Sequence, residues 1–414
     1  MKRITTALLC LLFAPLALLS QPRPLPAPLT ERTLRVDYVF SGTDKECSIA
    51  LDRLSSMDGW YGRRVHLDEL LLRGNGQIRM TDPQSGKVLY CNAFSTLFQE
   101  WQATEEATRV RKSFENVFLL PMPSVPVDVT VELYDFKENV AASLTHRVDP
   151  KDILIRKIGA NPPETRPLLT GGSPQECIDV VILPEGYTAE EMDLFYHDAM
   201  AAVVSFMDHE SFHEEAQHFN FTAVMLPSAE SGVSVPRRGE WKDTALGSHF
   251  DTFYSDRYLT TLQLENMHDL LAGVPYEHII ILANTDTYGG GGIFNSYTLT
   301  TAHHRQFRPV VVHEFGHSFV GLADEYFYDD QFVEYYYPGI EPWEPNITTQ
   351  TDFSSKWESM MGRDGVGLYE GGGYQSKGVW RGSENCRMRT NEAGDFCPVC
   401  TEAVHAMVHF YTGD

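Results

Sequence analysis

Positive charge is scarce in this chain: 33 lysines and arginines stand against 57 acidic residues, a formal charge of −24 over 414 residues. A surface that acidic disfavours nucleic acids and anionic membranes as partners. It suits basic substrates, although solubility alone is the simpler explanation. Long apolar runs are also missing after residue 20, so nothing there is fit to cross a bilayer. Repeats and low-complexity tracts are absent, which argues against a solenoid. The glycine-rich runs lack the Lys-Ser/Thr ending of a phosphate loop, and no EF-hand loop is present, although calcium remains open given the many acids. None of the cysteines carries a nucleophile pattern. What remains is a mixed-charge chain with 43% hydrophobic residues, as a folded globular protein has.

Residues 1–20 read as a signal peptide. Lys2 and Arg3 precede an apolar stretch from Ile4 to Leu19, broken by Pro15, and Ser20 leads into the polar Gln21-Pro-Arg-Pro-Leu-Pro. Export, to the periplasm, the cell surface or the medium, is the expectation. Removal of the leader leaves 31 basic against 57 acidic residues.

The most informative stretch is His313-Glu314-Phe315-Gly316-His317. Two imidazoles four residues apart on a helix point the same way and can grip one metal ion. The glutamate between them then lies beside that metal, where it can polarise a water. Pro309 suits a first helical turn, and Gly321 suits the left-handed residue beyond a helix end. The β-branched Val310-Val311-Val312 favours a buried strand instead, but Glu314 onward loses that character. After Gly321 the chain reads Leu-Ala-Asp324-Glu325-Tyr326. Asp324 is the expected third metal ligand and Glu325 a weaker candidate; two His and one carboxylate leave zinc a fourth, open position. Solvated acids at a helix end are the plain alternative, but the helix dipole disfavours them there.

This stretch resembles the IgA peptidase family of metallopeptidases. The resemblance rests on His313 to Tyr326, on Gly367-Leu-Tyr-Glu-Gly-Gly-Gly-Tyr374, and on Cys386-Arg-Met-Arg389 with Phe396-Cys-Pro-Val-Cys400. It implies a metzincin-like catalytic fold with His313 and His317 as zinc ligands, Asp324 as the third, and Glu314 as catalytic base. Family members often carry an N-terminal companion domain. Metzincins also place a methionine turn beneath the metal. Met388 suits that position, with Met360 and Met361 as the competing pair and core filling as the commonest use of methionine.

The expected architecture is α+β or α/β: an N-terminal β-sandwich over residues 24–155, then a zincin catalytic domain over residues 165–414, each with its own core. Thr33–Phe40 and Val127–Tyr134 alternate as strands do, and Gly74-Asn-Gly76 and Pro83-Gln-Ser-Gly86 are turns. The sandwich shows no catalytic cluster; it positions the catalytic domain, binds substrate or a surface, or gives support. In the second part, Cys177–Leu183, Phe219–Leu226 and His278–Ala283 read as strands of a mixed sheet, and Thr188-Ala-Glu-Glu191 as a capping box for a helix through Met207. Tyr288 to Thr300 joins a glycine loop to an alternating strand, expected at the sheet edge, where it would pair with substrate backbone or serve as an ordinary edge. Tyr369 and Tyr374 are both candidates to stabilise an oxyanion.

Six cysteines follow the leader. Cys386, Cys397 and Cys400 read as a disulfide or, with His405 or His409, as a structural zinc site, and the disulfide is preferred. The function expected is an exported zinc endopeptidase that holds one catalytic zinc ion and acts on proteins or peptides, with heavily glycosylated, mucin-like proteins as a narrower substrate class. The alternative from another class is an adhesin or glycan-binding protein on a catalytically silent zincin scaffold.

Overall fold

The computed structural model describes residues 23–329 and 335–413; the signal peptide expectation therefore falls outside the described residues. The first half is a β-rich unit of two four-stranded sheets. One has the order β5-β1-β2-β8, from β1 (Leu29–Gly42), β2 (Cys47–Asp58), β5 (Lys112–Pro123) and the short β8 (Arg156–Lys157). The other has the order β4-β3-β6-β7, from β3 (Gly76–Thr81), β4 (Val88–Phe94), β6 (Val127–Tyr134) and β7 (Val140–Val148). The period of two predicted for β1 and β6 is what builds their core. Leu34, Val36, Tyr38 and Phe40 face inward from β1, and Val127, Val129, Val131 and Leu133 from β6, all fully buried. Helix α1 (Leu97–Gln102) starts at Thr96, whose hydroxyl accepts from the backbone N–H of Gln99.

The second half is built on a six-stranded mixed sheet of order β13-β14-β12-β10-β11-β9. Its strands are β9 (Thr165–Thr170), β10 (Ile178–Glu185), β11 (Phe219–Val224), β12 (His278–Ala283), β13 (Gly290–Ile293) and β14 (Tyr297–Thr301). The four central strands run parallel, with an antiparallel strand at each edge. Both faces are covered, which is why β10 and β12 read as unbroken apolar runs. Val181, Leu183, Ile279 and Ile281 point into the same core as the sandwich; Val180, Ile182, Ile280 and Leu282 point into a second core under the helices. The core of the first half therefore extends onto one face of this sheet, while the other face keeps a core of its own. The strand predicted for the sheet edge, β14, is flanked on both sides, and the edge is the glycine segment β13 itself.

The second core holds α2 (Met192–Met207), α3 (Glu210–Glu214), α5 (Phe307–Phe315) and α6 (Pro398–Thr412). The predicted capping box forms: the Thr188 N–H donates to the Glu191 carboxylate at 2.9 Å, one short 3₁₀ turn ahead of α2. A small sheet of β15 (Phe327–Tyr328), β16 (Ile347–Thr348), β17 (Tyr369–Gly372) and β18 (Tyr374–Arg381) packs on the segment Ala323–Tyr326 that follows Gly321. The halves are tied together by ions as well as by the core. Arg35 and Asp37 occupy the outer face of β1, joined at 2.7 and 2.9 Å, and meet α4 (Leu264–Leu270) through Arg35–Asp269 at 2.6 Å and an Arg53–Glu265 pair. No helix among the described residues is long and apolar enough to cross a membrane.

Candidate metal centre

Helix α5 carries His313 and Glu314, then widens into a π-helical turn over Gly316–Val320 that carries His317. Gly321 ends it at φ +70°, a left-handed conformation that glycine adopts without a side-chain clash. The chain can then double back, and Asp324 returns to the histidines. The Asp324 Oδ1 lies 3.0 Å from the His313 Nε2 and 3.2 Å from the His317 Nε2, and the two Nε2 atoms are 3.1 Å apart.

The outer atoms of all three groups are already occupied. The His313 Nδ1 donates to the Arg387 carbonyl at 3.0 Å and the His317 Nδ1 to the Leu322 carbonyl at 2.6 Å. A carbonyl only accepts, so each Nδ1 holds the proton and each Nε2 lone pair is left facing the centre. The Tyr374 hydroxyl donates to the Asp324 Oδ2. Two imidazole nitrogens and a carboxylate oxygen, aimed at one point and held from behind, could hold one metal ion and make a donor set suited to zinc. Burial works to raise the Asp324 carboxyl, but His317 and His313 outweigh it and hold it well below the usual carboxylate range. Glu314 lies on the cleft side of the same helix. Burial pushes its carboxyl up against the opposing pull of the two histidines.

Glycine lets the sheet edge reach this helix. A Cβ on Gly292 would stand 2.1 Å from the Glu314 carbonyl oxygen, and one on Gly290 would stand 3.1 Å from the Glu314 Oε1. Fully buried Met388 packs against this helix: a Cβ on Gly316 would meet its sulfur at 2.9 Å. Met361 is instead 40% exposed. Of the two tyrosines, Tyr374 faces the centre, whereas the Tyr369 hydroxyl donates to Gly365. Glu325 does not join the histidines. It turns to the opposite side, into a buried group with Cys386, Cys397 and Cys400. The preferred disulfide is not formed there, since all six described cysteines are free and the Cys386 and Cys400 sulfurs stand 3.6 Å apart. His405 and His409 take no part either; they face Glu214 and Glu215 on α3 and just beyond it.

The centre opens into a cleft of about 790 Å³. One wall comes from the first half, including Arg73, Glu100 and Phe136; the other carries Tyr258, Gly291 and Tyr326. The Tyr258 hydroxyl donates to the Glu100 carboxylate across the junction. This wall escaped sequence reading because nothing in the run around Glu100 resembles a site. The carbonyls of Arg387 and Leu322 escaped it as well, because any residue could supply them.

Comparison with known families agrees with the geometry in both halves. A model described as IgA Peptidase M64 matches residues 167–365 and 362–408, and one described as Peptidase M64 N-terminus matches residues 27–145. No curated protein matches the chain. With more than half of its length matched, centre and wall included, the chain belongs to the M64 family of IgA peptidases.

Proposed function

We propose that the protein is an exported zinc endopeptidase with a metzincin-like catalytic domain over residues 165–414 and a companion β-sandwich over residues 24–155 that supplies one cleft wall. The observation that carries this reading is the convergence of His313, His317 and Asp324 on one point, with Glu314 alongside on the same helix. These three residues would hold the zinc ion. When bound, the ion supplies Lewis acidity to a water and to the scissile carbonyl.

The chain's own groups do the rest. Glu314 takes the proton from the attacking water at its carboxylate and delivers it to the leaving nitrogen. Tyr374 and the two backbone carbonyls hold the ligand atoms in place, so little reorganisation is needed during turnover. The substrate main chain lies along Gly290–Gly292, where absent side chains permit close approach, and both cleft walls exclude water from it.

The substrate is a protein or peptide outside the cytoplasm. The test is cleavage profiling of the purified chain on a proteome-derived peptide library, beside Glu314→Gln. Cuts are expected to vanish in the variant while its zinc content stays unchanged. Full activity in the Gln variant would sink the assignment of Glu314.

A further inference from the structure

Behind the centre, on the far side of the segment Ala323–Tyr326, lies a second convergence of ligand atoms. The sulfurs of Cys386, Cys397 and Cys400 and a carboxylate oxygen of Glu325 all lie within 4.8 Å of one another. Every one of these residues is at most 4% exposed. We propose that Cys386, Cys397, Cys400 and Glu325 bind a second, structural zinc ion that locks the loop carrying Met388 to the segment carrying Asp324.

Four observations carry this. The first is spacing. Tetrahedral zinc with Zn–S bonds of about 2.3 Å separates its sulfurs by about 3.8 Å. The Cys386 and Cys400 sulfurs stand at 3.6 Å, whereas a disulfide would need about 2.05 Å. The second is the unmet need of Glu325. Its Oε1 accepts from Asn346 and faces the Cys400 sulfur at 3.2 Å, but its Oε2 has no hydrogen-bond partner. No cationic side chain pairs with it among the described residues; nearby Arg381 donates to the carbonyls of Glu370 and Gly371. A buried carboxylate left so is costly, and a cation among the thiols resolves it.

The third is the setting of the sulfurs. Backbone N–H groups of Cys397 and Met388 point at the Cys386 sulfur, at 3.3 and 3.5 Å, as donors that favour thiolate. Cys397 is the N-cap of α6 and Cys400 lies in its first turn, where the helix dipole favours negative charge. The fourth is donor chemistry: three soft sulfurs in a closed, buried site select zinc over calcium or magnesium.

The placement gives the ion a function. Glu325 follows Asp324, and its N–H donates to the Met388 carbonyl at 2.8 Å. Cys386 precedes Arg387, whose carbonyl holds the His313 Nδ1. One ion thereby fixes the chain on both sides of the first centre. The ion itself does not depend on the catalytic reading, although this positioning role does.

The test is metal analysis of the full purified chain beside a His313→Ala, His317→Ala double variant, which removes the first centre only. The double variant is expected to keep about one zinc ion per chain and, reloaded with cobalt, to show a near-ultraviolet thiolate-to-cobalt band. A double variant with no zinc and no such band overturns the proposal. So does a pair of cysteines that resists alkylation in denaturant and chelator until reductant is added, because they would then be a disulfide. Glu325→Gln, close in shape, is expected to lose the ion to a chelator about tenfold faster. An unchanged rate removes Glu325 from the ligand set. Failure of the peptidase reading would leave the zinc and the cobalt band in place, so the two outcomes are distinguishable.

Discussion

Tyr374 sits at φ +67°, directly after Gly373 at φ +55°. A tyrosine in that region is strained, and strain of this kind persists where the surroundings demand it. Here the strained backbone aims the hydroxyl at the Asp324 Oδ2. Removing the hydroxyl in Tyr374→Phe should leave the fold intact and release Asp324 to rotate. The expected result is a loss of about 10- to 100-fold in kcat/KM or zinc affinity, read by peptide cleavage and metal competition. An unchanged variant would make the contact incidental. At this scale the sequence was most informative about residues whose chemistry is local. His313, Glu314, His317 and Asp324 share one helix and the turn after it, so their spacing alone carried the argument. Tyr374 and Tyr369 could not be told apart, because only the backbone of the Gly371–Gly373 turn decides which hydroxyl faces inward. Glu325 was misjudged as a rival to Asp324, since adjacent residues on an extended segment point to opposite sides.

Among the elements, strand β10 shows how burial on two faces was legible and its ends were not. The apolar run was plain, but its N-terminal end hides Asp179, 4% exposed, beside Glu277. The Asp179 Oδ1 accepts from Asn220 at 2.8 Å while its Oδ2 has no partner. Burial pushes this carboxyl up to about 7, against the weaker opposing pull of Asn220. The folded state therefore binds a proton that the unfolded chain, titrating near 3.8, has already released. Stability from this group is complete below about pH 4 and is lost as pH rises through about 7. Asp179→Asn keeps the bond from Asn220 and abolishes the loss. It should raise unfolding stability at pH 8 by on the order of 3 kcal/mol and leave it nearly unchanged at pH 4. Urea titrations at the two pH values would check this, and an equal effect at both would refute it. At the other end of β10, Glu185 is the hub of the 244–248 segment that precedes α4, accepting from Thr244 at 2.6 Å, Leu246 at 2.9 Å and Ser248 at 2.7 Å. Glu185→Ala would leave two buried backbone donors and the half-buried Thr244 hydroxyl unmet, and should cost at least about 2 kcal/mol in the same titration.

For the whole molecule, the alternation in β1 was read correctly and its meaning was not. Polar residues on alternate positions usually face water, yet Arg35 and Asp37 are fully buried against α4. One strand's pattern cannot show that a second domain will cover its polar face. The ion network there should be strongly coupled: Arg35→Met strips Asp37 of its bidentate partner and should destabilise the chain by about 3–5 kcal/mol. A loss below about 1 kcal/mol by urea unfolding would show that the network is dispensable. The shared core makes the same point without charges. Leu246, Phe250, Ile279 and Tyr297 belong to the second half but pack in the core of the first.

The joint construction of the cleft also has a consequence in time. Glu100 and Tyr258, 158 residues apart in the chain, meet only when the two halves have docked. Helix α5 can form earlier, and the histidines with it, but a cleft with a single wall leaves the reacting bond in open water. Peptide cleavage is therefore expected only once both walls are in place. During refolding from urea, peptide cleavage should return with the slowest tertiary phase and never ahead of it.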